Sequence, residues 1–397
     1  MILFFLFLLF FQSQPQPSLL QRGLIALKDG QLAEARRDLE QASQADPKNP
    51  YIWSSLAQTY LRLKMPVQAS AAARTAEQTG ASNPLIHHAL AMFYSETGQL
   101  RHAAELEQKF AQSPKADRDA LARAATLYLS AGDAQAAVTL AQQSVSQSSS
   151  PEKENLLGRA LMAANQKQEG EKHLQLAWEG AKTDERIAFD YTQALLQRQD
   201  FTRAADVIDS ALSAHSQDPQ LTLALGVVRY GQRRFDDAIT AFLKVIELNP
   251  EVEQPYLFIG RMLEQAGEHL PEITKAYESW AAREPQNPKA QLLLAKALLT
   301  QDHRSDRAQA LLQKSIALDG NDWEAHYQLG TALADRRDWK AAAAELNRSV
   351  ELNPKQPLPH YHLARVYDRL GQGERAEAER AIHQQLTANQ KAEPQTH

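Results

Sequence analysis

The chain has 397 residues, 43% hydrophobic and 23% charged, a balance that argues against a disordered chain and against a multi-span membrane protein. A net charge of −5 disfavours a general electrostatic grip on phosphate backbones, so no nucleic-acid partner is expected. The absence of cysteine excludes disulfides, thiolate zinc sites and a cysteine nucleophile.

In chain order, the first feature is the unbroken apolar run Ile2 to Phe11, followed by polar residues and Pro15. Ten residues rise only about 15 Å as a helix, half the hydrocarbon thickness of a bilayer, so the run is too short to span one. The length suits the apolar region of an export signal, although no Lys or Arg precedes it and Phe11–Gln12–Ser13 is a poor cleavage site. Residues 1–15 are read as a leader, which predicts an exported, periplasmic or envelope-associated protein. If the run is not a signal, the protein is cytoplasmic.

From residue 16 onward the sequence repeats. With Gly or Ala placed at position 8, repeats start near residues 16, 50, 84, 118, 151, 185, 219, 253, 287, 323 and 357. Eight of the ten intervals are 34 residues, one is 33 and one is 36. Each repeat reads as two helices. In the first, positions 4, 7, 8 and 11 share one face, as Tyr256, Ile259, Gly260 and Leu263 do; Ile273, Tyr277 and Trp280 continue the pattern in the second. A Gly or polar turn near position 15, such as Gly98–Gln99, Gly132–Asp133 or Gly267–Glu268, is predicted to end the first helix. Asp46–Pro47, Asn249–Pro250, Glu284–Pro285 and Asn353–Pro354 are predicted to end the second, because proline cannot continue it.

Three places break the rhythm. Ser144 to Pro151 carries five serines and the 33-residue interval, and reads as a loop between repeats, with a hinge as the alternative. The repeat from 287 has two extra residues around Asp302–Asp306, predicted to lengthen its inter-helix turn. The last helix, Glu374 to Gln385, mixes Arg and Glu with small residues and reads as a polar cap; residues 391–397 read as a polar tail.

Small residues at positions 8 and 20, large apolar or aromatic ones at 4, 11, 17 and 24, and Pro at 32 together resemble the tetratricopeptide repeat of bacterial proteins. The resemblance covers residues 16–390, in about eleven repeats. Gly170 at position 20 and Thr192 at position 8 depart from it. It implies an all-α fold, an α-solenoid of antiparallel helix pairs wound into a right-handed superhelix. Such an array buries each repeat only against its neighbours, so its ends must be made soluble. The first repeat stays apolar through Leu20, Leu24 and Leu27, which leaves it to be covered by a partner, the leader or a second copy.

No catalytic, cofactor or metal constellation is read from the chain. Gly371–Gln372–Gly373–Glu374–Arg375–Ala376 matches a dinucleotide fingerprint in letters, but a helix precedes it where a strand is needed. Ser150 to Lys153 spells S-x-x-K at an inter-repeat loop without companion motifs. His87, His326 and His360 all fall at position 4, which Trp53 and Tyr256 fill elsewhere, so they read as flat packing groups rather than ligands. Asn347–Arg348–Ser349 matches a glycosylation sequon but falls on a helix.

Positions 2, 5, 9, 12 and 13 of the first helices form a separate stripe. In the resembling family it lines the inner groove where extended peptides or partner helices bind. Here it carries His88 and Met92, then Phe189, Leu223, Val227, Tyr230, Leu257 and Arg261, and finally Tyr327, Tyr361, Arg365 and Arg369. Aromatic and Arg side chains are common interface anchors. Each apolar member is read equally well as packing between helices, whereas the two tyrosines and two arginines near the C-terminus favour binding. A carboxylate-binding clamp of the family's kind is not indicated; Asn155 with Arg159 is the nearest approach. The expectation is a non-catalytic scaffold for protein or peptide partners in the cell envelope. The alternatives are an accessory or regulatory subunit of an envelope enzyme or assembly complex, and a scaffold that self-associates through its apolar first repeat.

Overall fold

The computed structural model describes residues 17–392, so the apolar run Ile2–Phe11 and the end of the tail lie outside the described residues. Among the described residues there are twenty-two α-helices and no strand. The chain divides into two compact units, residues 1–194 and 195–397.

The N-terminal unit contains α1 (Leu19–Lys28), α2 (Leu32–Ala45), α3 (Pro50–Arg62), α4 (Pro66–Thr79), α5 (Pro84–Glu96), α6 (Leu100–Ala111), α7 (Ala120–Ser130), α8 (Ala134–Gln147), α9 (Pro151–Ala163) and α10 (Lys167–Gly180). The boundary falls within α11 (Glu185–Gln197). The C-terminal unit continues with α12 (Phe201–Ala214), α13 (Pro219–Gly231), α14 (Phe235–Leu248), α15 (Gln254–Arg261), α16 (Leu270–Arg283), α17 (Pro288–Gln301) and α18 (Asp306–Leu318). It ends with α19 (Trp323–Asp335), α20 (Trp339–Leu352), α21 (Pro357–Arg369) and α22 (Gly373–Ala392).

Local chemistry explains the boundaries. Asn49, Asn83, Asp218 and Asn287 each accept a backbone N–H at a helix start and are each followed by proline at the first helical position. The second helices α2, α14, α16 and α20 all stop two residues before a proline, as the sequence predicts. Ten inter-helix turns place position 15 in the left-handed region. Five use glycine, among them Gly98 and Gly132; the others use Lys64, Asn165, Gln199, Arg233 and Arg337. In all but the Gly267 turn the next residue's N–H reaches back over the turn, as Asp338 N does to Leu333 O at 3.0 Å, which closes a Schellman-type cap.

A side chain in that conformation carries strain that glycine lacks. Arg337→Gly is therefore expected to raise stability by about 0.5–1 kcal/mol, and Gly98→Ala, with φ +79°, to lower it by a similar amount. Urea denaturation of the two variants reads both signs; the same sign for both would refute the cap assignment.

Position 8 is small for a specific reason. A Cβ on Gly23, Gly158, Gly226 or Gly330 would lie 2.5–2.7 Å from the side chain of Leu39, Leu174, Phe242 or Leu346, each sixteen residues later on the paired helix. In two repeats position 8 is alanine and its partner is alanine too: Ala57 stands with Ala73, and Ala125 with Ala141, all fully or almost fully buried. Stability is thus a series of small clusters within each unit rather than one core.

Four expectations need correction. The first helix of the repeat from 253 stops at Arg261, not at Gly267; short 3-10 turns, Leu263–Gln265 and Gly267–His269, carry the chain to α16. The Gly260 carbonyl, released by this break, accepts from Lys296 Nζ at 3.2 Å. Second, Ser144 is buried inside α8, and the stretch read as a loop or hinge shrinks to three residues between α8 and α9, with Ser150 capping α9. Third, in the repeat from 287 the lengthening is shared, since α17 runs to Gln301 and the turn occupies residues 302–305. Fourth, α22 runs to Ala392, into the segment read as tail, because no proline or glycine follows Gly373 to stop a solvated helix before that point.

Candidate functional site: the first-helix faces of the two units

The position 4 side chains do more than pack. Several of them reach back six residues to a loop carbonyl, among them Trp53 Nε1 to Pro47 O at 2.8 Å, Tyr256 hydroxyl to Pro250 O at 3.2 Å and His360 Nε2 to Pro354 O at 3.0 Å. His326 and His360 also meet Glu345 and Glu379 through Nδ1, at 2.7 and 2.6 Å. In both rings each nitrogen faces an oxygen, a loop carbonyl on one side and a carboxylate on the other. These histidines join a loop to the paired helix, and their nitrogens are occupied. Among the described residues no group of three or more His, Cys, Asp or Glu side chains is placed to hold a metal. The lettered motifs dissolve likewise. Ser150 Oγ donates to Glu152 at 2.6 Å and caps α9, while Gly371 forms the turn between α21 and α22. Both ends of the Asn347 amide are engaged, by Ala343 O and by the Tyr367 hydroxyl.

In the N-terminal unit, α5, α7, α9 and α11 line a cavity of about 630 Å³. Its floor is apolar, from Ala91, Met92, Leu127, Leu156 and Ile187, and Met92 is 53% exposed. Its walls are charged. Glu107 is buried and holds two partners, His88 Nδ1 at 2.7 Å and Arg123 Nε at 2.7 Å. The His88 ring stacks on Phe110, with centroids 4.7 Å apart. Arg123 also forks onto Asp117 at 2.8–2.9 Å, and this hydrogen-bonded guanidinium holds the Asp117 carboxyl below its ordinary range. Lys153 is buried and donates to Ser148 Oγ at 2.7 Å. Asn155 Nδ2 donates to Asp190 Oδ2 at 2.7 Å, and Arg159 approaches the same oxygen at 3.6 Å.

Of the stripe residues expected from sequence, this cavity gathers His88 and Met92; Phe189 lies half-buried on α11 and does not line it. Sequence reasoning missed Arg123, Lys153 and Arg186, which sit at positions 6, 3 and 2. The signal in the sequence is the run of charged residues across consecutive first helices, which the apolar and aromatic stripe of positions 2, 5, 9, 12 and 13 does not contain.

In the C-terminal unit, Leu223, Val227, Tyr230 and Leu257 are half-buried against the core of α14–α17, so packing claims much of each. The Tyr230 ring sits edge-on to Phe235 and Phe258. Arg261 is exposed and lies over Phe258, 5.5 Å from its centroid. Tyr361 is 41% exposed, with Arg365 over its ring at 5.6 Å, while Arg369 lies over Trp339 at 5.9 Å. Among the described residues, Arg261, Arg365 and Arg369 form no ion pair. Tyr327 is half-buried and edge-on to His362; burial, then Glu264 and Glu324, pushes its hydroxyl up to about 12.

Burial, then the Arg365 charge, holds the His362 imidazole below its ordinary value of 6.5. A base with a depressed folded value stabilises the fold fully above the unfolded value, and that contribution is lost as pH falls below 6.5. An NMR titration of His362 is expected to show a midpoint under 6.5, and His362→Gln to flatten part of the acid loss of stability. A midpoint at or above 6.5 would contradict the burial.

Sequence profiles described as Tetratricopeptide repeat match residues 26–93, 192–253, 223–288 and 292–357. The chain belongs to the tetratricopeptide repeat family. No curated sequence matches it. Among solved structures, it is similar to the C-terminal part of a TPR repeat-containing protein from Cytophaga hutchinsonii, with 18% identity over 69% of this chain and 98% of that one, TM-score 0.45. It is also similar to a chain of the APC/C hetero-tetramer Cut9–Hcn1, with 14% identity over 93% of both chains, TM-score 0.43. Yeast Tom70 matches with 12% identity over 94% of this chain and 96% of its own, TM-score 0.39. Among the described residues no helix is long and apolar enough to cross a membrane.

Proposed function

We propose that this tetratricopeptide repeat protein is a non-catalytic scaffold that binds partner proteins or peptides along the first-helix faces, in the cell envelope. Members of the family bind protein partners, which supports the coarser half of this reading. The observation that carries the finer half is the exposed face of α21. Tyr361, Arg365 and Arg369 lie outside the core, their charges unpaired among the described residues and their guanidinium groups pre-positioned over aromatic rings. A merely solvated face needs neither aromatic rings nor unpaired arginines. The apolar run Ile2–Phe11 and the absence of cysteine support the envelope location.

Affinity capture from an envelope extract with wild type and the Tyr327→Ala/Tyr361→Ala double variant tests the reading. A partner held by wild type and weakened about tenfold or more by the variant is expected, two interface aromatics being worth that much. Equal recovery by both proteins refutes the assignment of this face. Sequencing the mature N-terminus tests the location.

A further inference from the structure

Asn155 is 4% exposed and lines the cavity of the N-terminal unit. Its amide can point only one way. Nδ2 donates to Asp190 Oδ2 at 2.7 Å, and a carboxylate accepts but cannot donate. The other end, Oδ1, is therefore a carbonyl-type acceptor, buried and without a donor. Buried acceptors in native proteins are almost always satisfied, so one without a donor, on a residue that lines a cavity, marks a place for an N–H from outside the chain.

Cationic groups nearby are also incompletely used. Arg159 lies one turn beyond Asn155 on α9 and is exposed; its only carboxylate among the described residues is Asp190, at 3.6 Å, already taken at shorter range by Asn155. Arg186, at the start of α11, is exposed and forms no ion pair among the described residues. Glu152, whose charge it feels, is bonded to Ser150 Oγ. Beneath them the floor offers Met92, Leu127 and Leu156. The site thus lacks one N–H donor, one carboxylate and one apolar group, in a volume within the roughly 300–1,000 Å³ range of ligand sites.

We infer that this cavity holds an extended peptide segment of a partner protein, centred on an acidic residue beside an apolar one. The backbone N–H of the acidic residue is donated to Asn155 Oδ1, its carboxylate meets Arg159 and Arg186, and the apolar side chain lies on Met92, Leu127 and Leu156. A side-chain carboxylate fits better than a chain terminus. Residues one helical turn apart are separated by about 5–6 Å at Cβ, whereas a terminal carboxylate shares its Cα with its own N–H. This inference rests on the scaffold reading and gives it a partner chemistry in the other unit of the chain.

The test is selection from a phage library of random seven-residue peptides displayed within a constrained loop, on the full chain. Anisotropy titration of the selected peptide, labelled and C-terminally amidated, follows. Selected sequences are expected to share Asp or Glu next to Leu, Ile, Val or Met. Changing the acid to its amide should weaken binding about tenfold, and Arg159→Gln with Arg186→Gln should weaken it as much and abolish the distinction. Both arginines are exposed, so these variants keep the fold. N-methylation at the acidic residue should weaken binding to wild type but not to Asn155→Leu.

Selected peptides without an acidic residue, or binding indifferent to both arginines, would overturn the inference. So would binding that requires a free C-terminus, or displacement by a twenty-nucleotide oligothymidylate at the same arginines. A library that yields no binder overturns it too, while leaving the scaffold reading to the separate Tyr327/Tyr361 capture.

Discussion

Trp280→Ala is expected to cost about 3–5 kcal/mol, the range for removing a large buried aromatic side chain. Trp280 is 1% exposed and stacks on Tyr256, with centroids 4.6 Å apart at 27°. Its repeat has an incomplete first helix. The eight residues of α15 give way to 3-10 turns, whose hydrogen-bond geometry is poorer than that of an α-helix. What holds this segment is the aromatic packing beneath it, together with the Tyr277 hydroxyl, which donates to Tyr256 O at 2.9 Å in a fully buried site. Burial pushes the Tyr277 hydroxyl far above its ordinary value, so it remains a donor at any physiological pH. Because a repeat array gains stability locally, the damage should concentrate in α15–α17. Urea denaturation combined with amide hydrogen exchange would show it. A shift under about 1 kcal/mol, or unchanged protection in α15, would mean that the broken helix is held by something else.

Gly226→Ala is expected to cost about 1–3 kcal/mol although it adds a single methyl to a helix and replaces a poor helix former by the best one. Propensity alone predicts a gain of about 1 kcal/mol. Packing wins because the new Cβ would lie 2.5 Å from Phe242 Cε1, and that ring has nowhere to go. It is fully buried and stacked on Phe258, with centroids 5.0 Å apart and planes 6° from parallel. The second arm is a double-mutant cycle with Phe242→Ala. The combination recreates the Ala–Ala pairing that Ala57 and Ala73 use, so the glycine substitution should cost little in that background. Additive effects of the two changes would refute the size-matching between positions 8 and 24.

Much of this was readable in the linear sequence because a repeat states its packing rule many times over. The all-α solenoid of helix pairs follows from the phase of Gly or Ala at position 8, from proline pairs such as Asn249–Pro250, and from the turn at position 15. Departures occur where a residue satisfies local rules while a contact elsewhere overrides them. Gly267 looks like a helix end, yet the helix stops six residues earlier, and Lys296, from the next repeat, serves the Gly260 carbonyl that this break releases. Ser144 looks like loop because it is one of five serines, yet its side chain is fully buried in α8. His326 and His360 occupy aromatic positions as expected, but their carbonyl and carboxylate partners lie six and nineteen residues away, where no short pattern connects them.

The sequence by itself determined which faces of a repeat are apolar, where most helices start and stop, and that Tyr361, Arg365 and Arg369 stand apart from the packing. Those are properties of spacing along one helix, and periodicity records them. Tertiary structure decided which polar groups are paired and which are left open. Asp190 reaches Asn155 from a different repeat, 35 residues on, and that one bond orients the amide and leaves Oδ1 unserved. Arg123 is absorbed by Glu107 and Asp117, while Arg186, drawn from the same alphabet, has no ion pair among the described residues. Charge is visible in a sequence; whether a charge is already spoken for depends on distances between helices, and only the fold sets those.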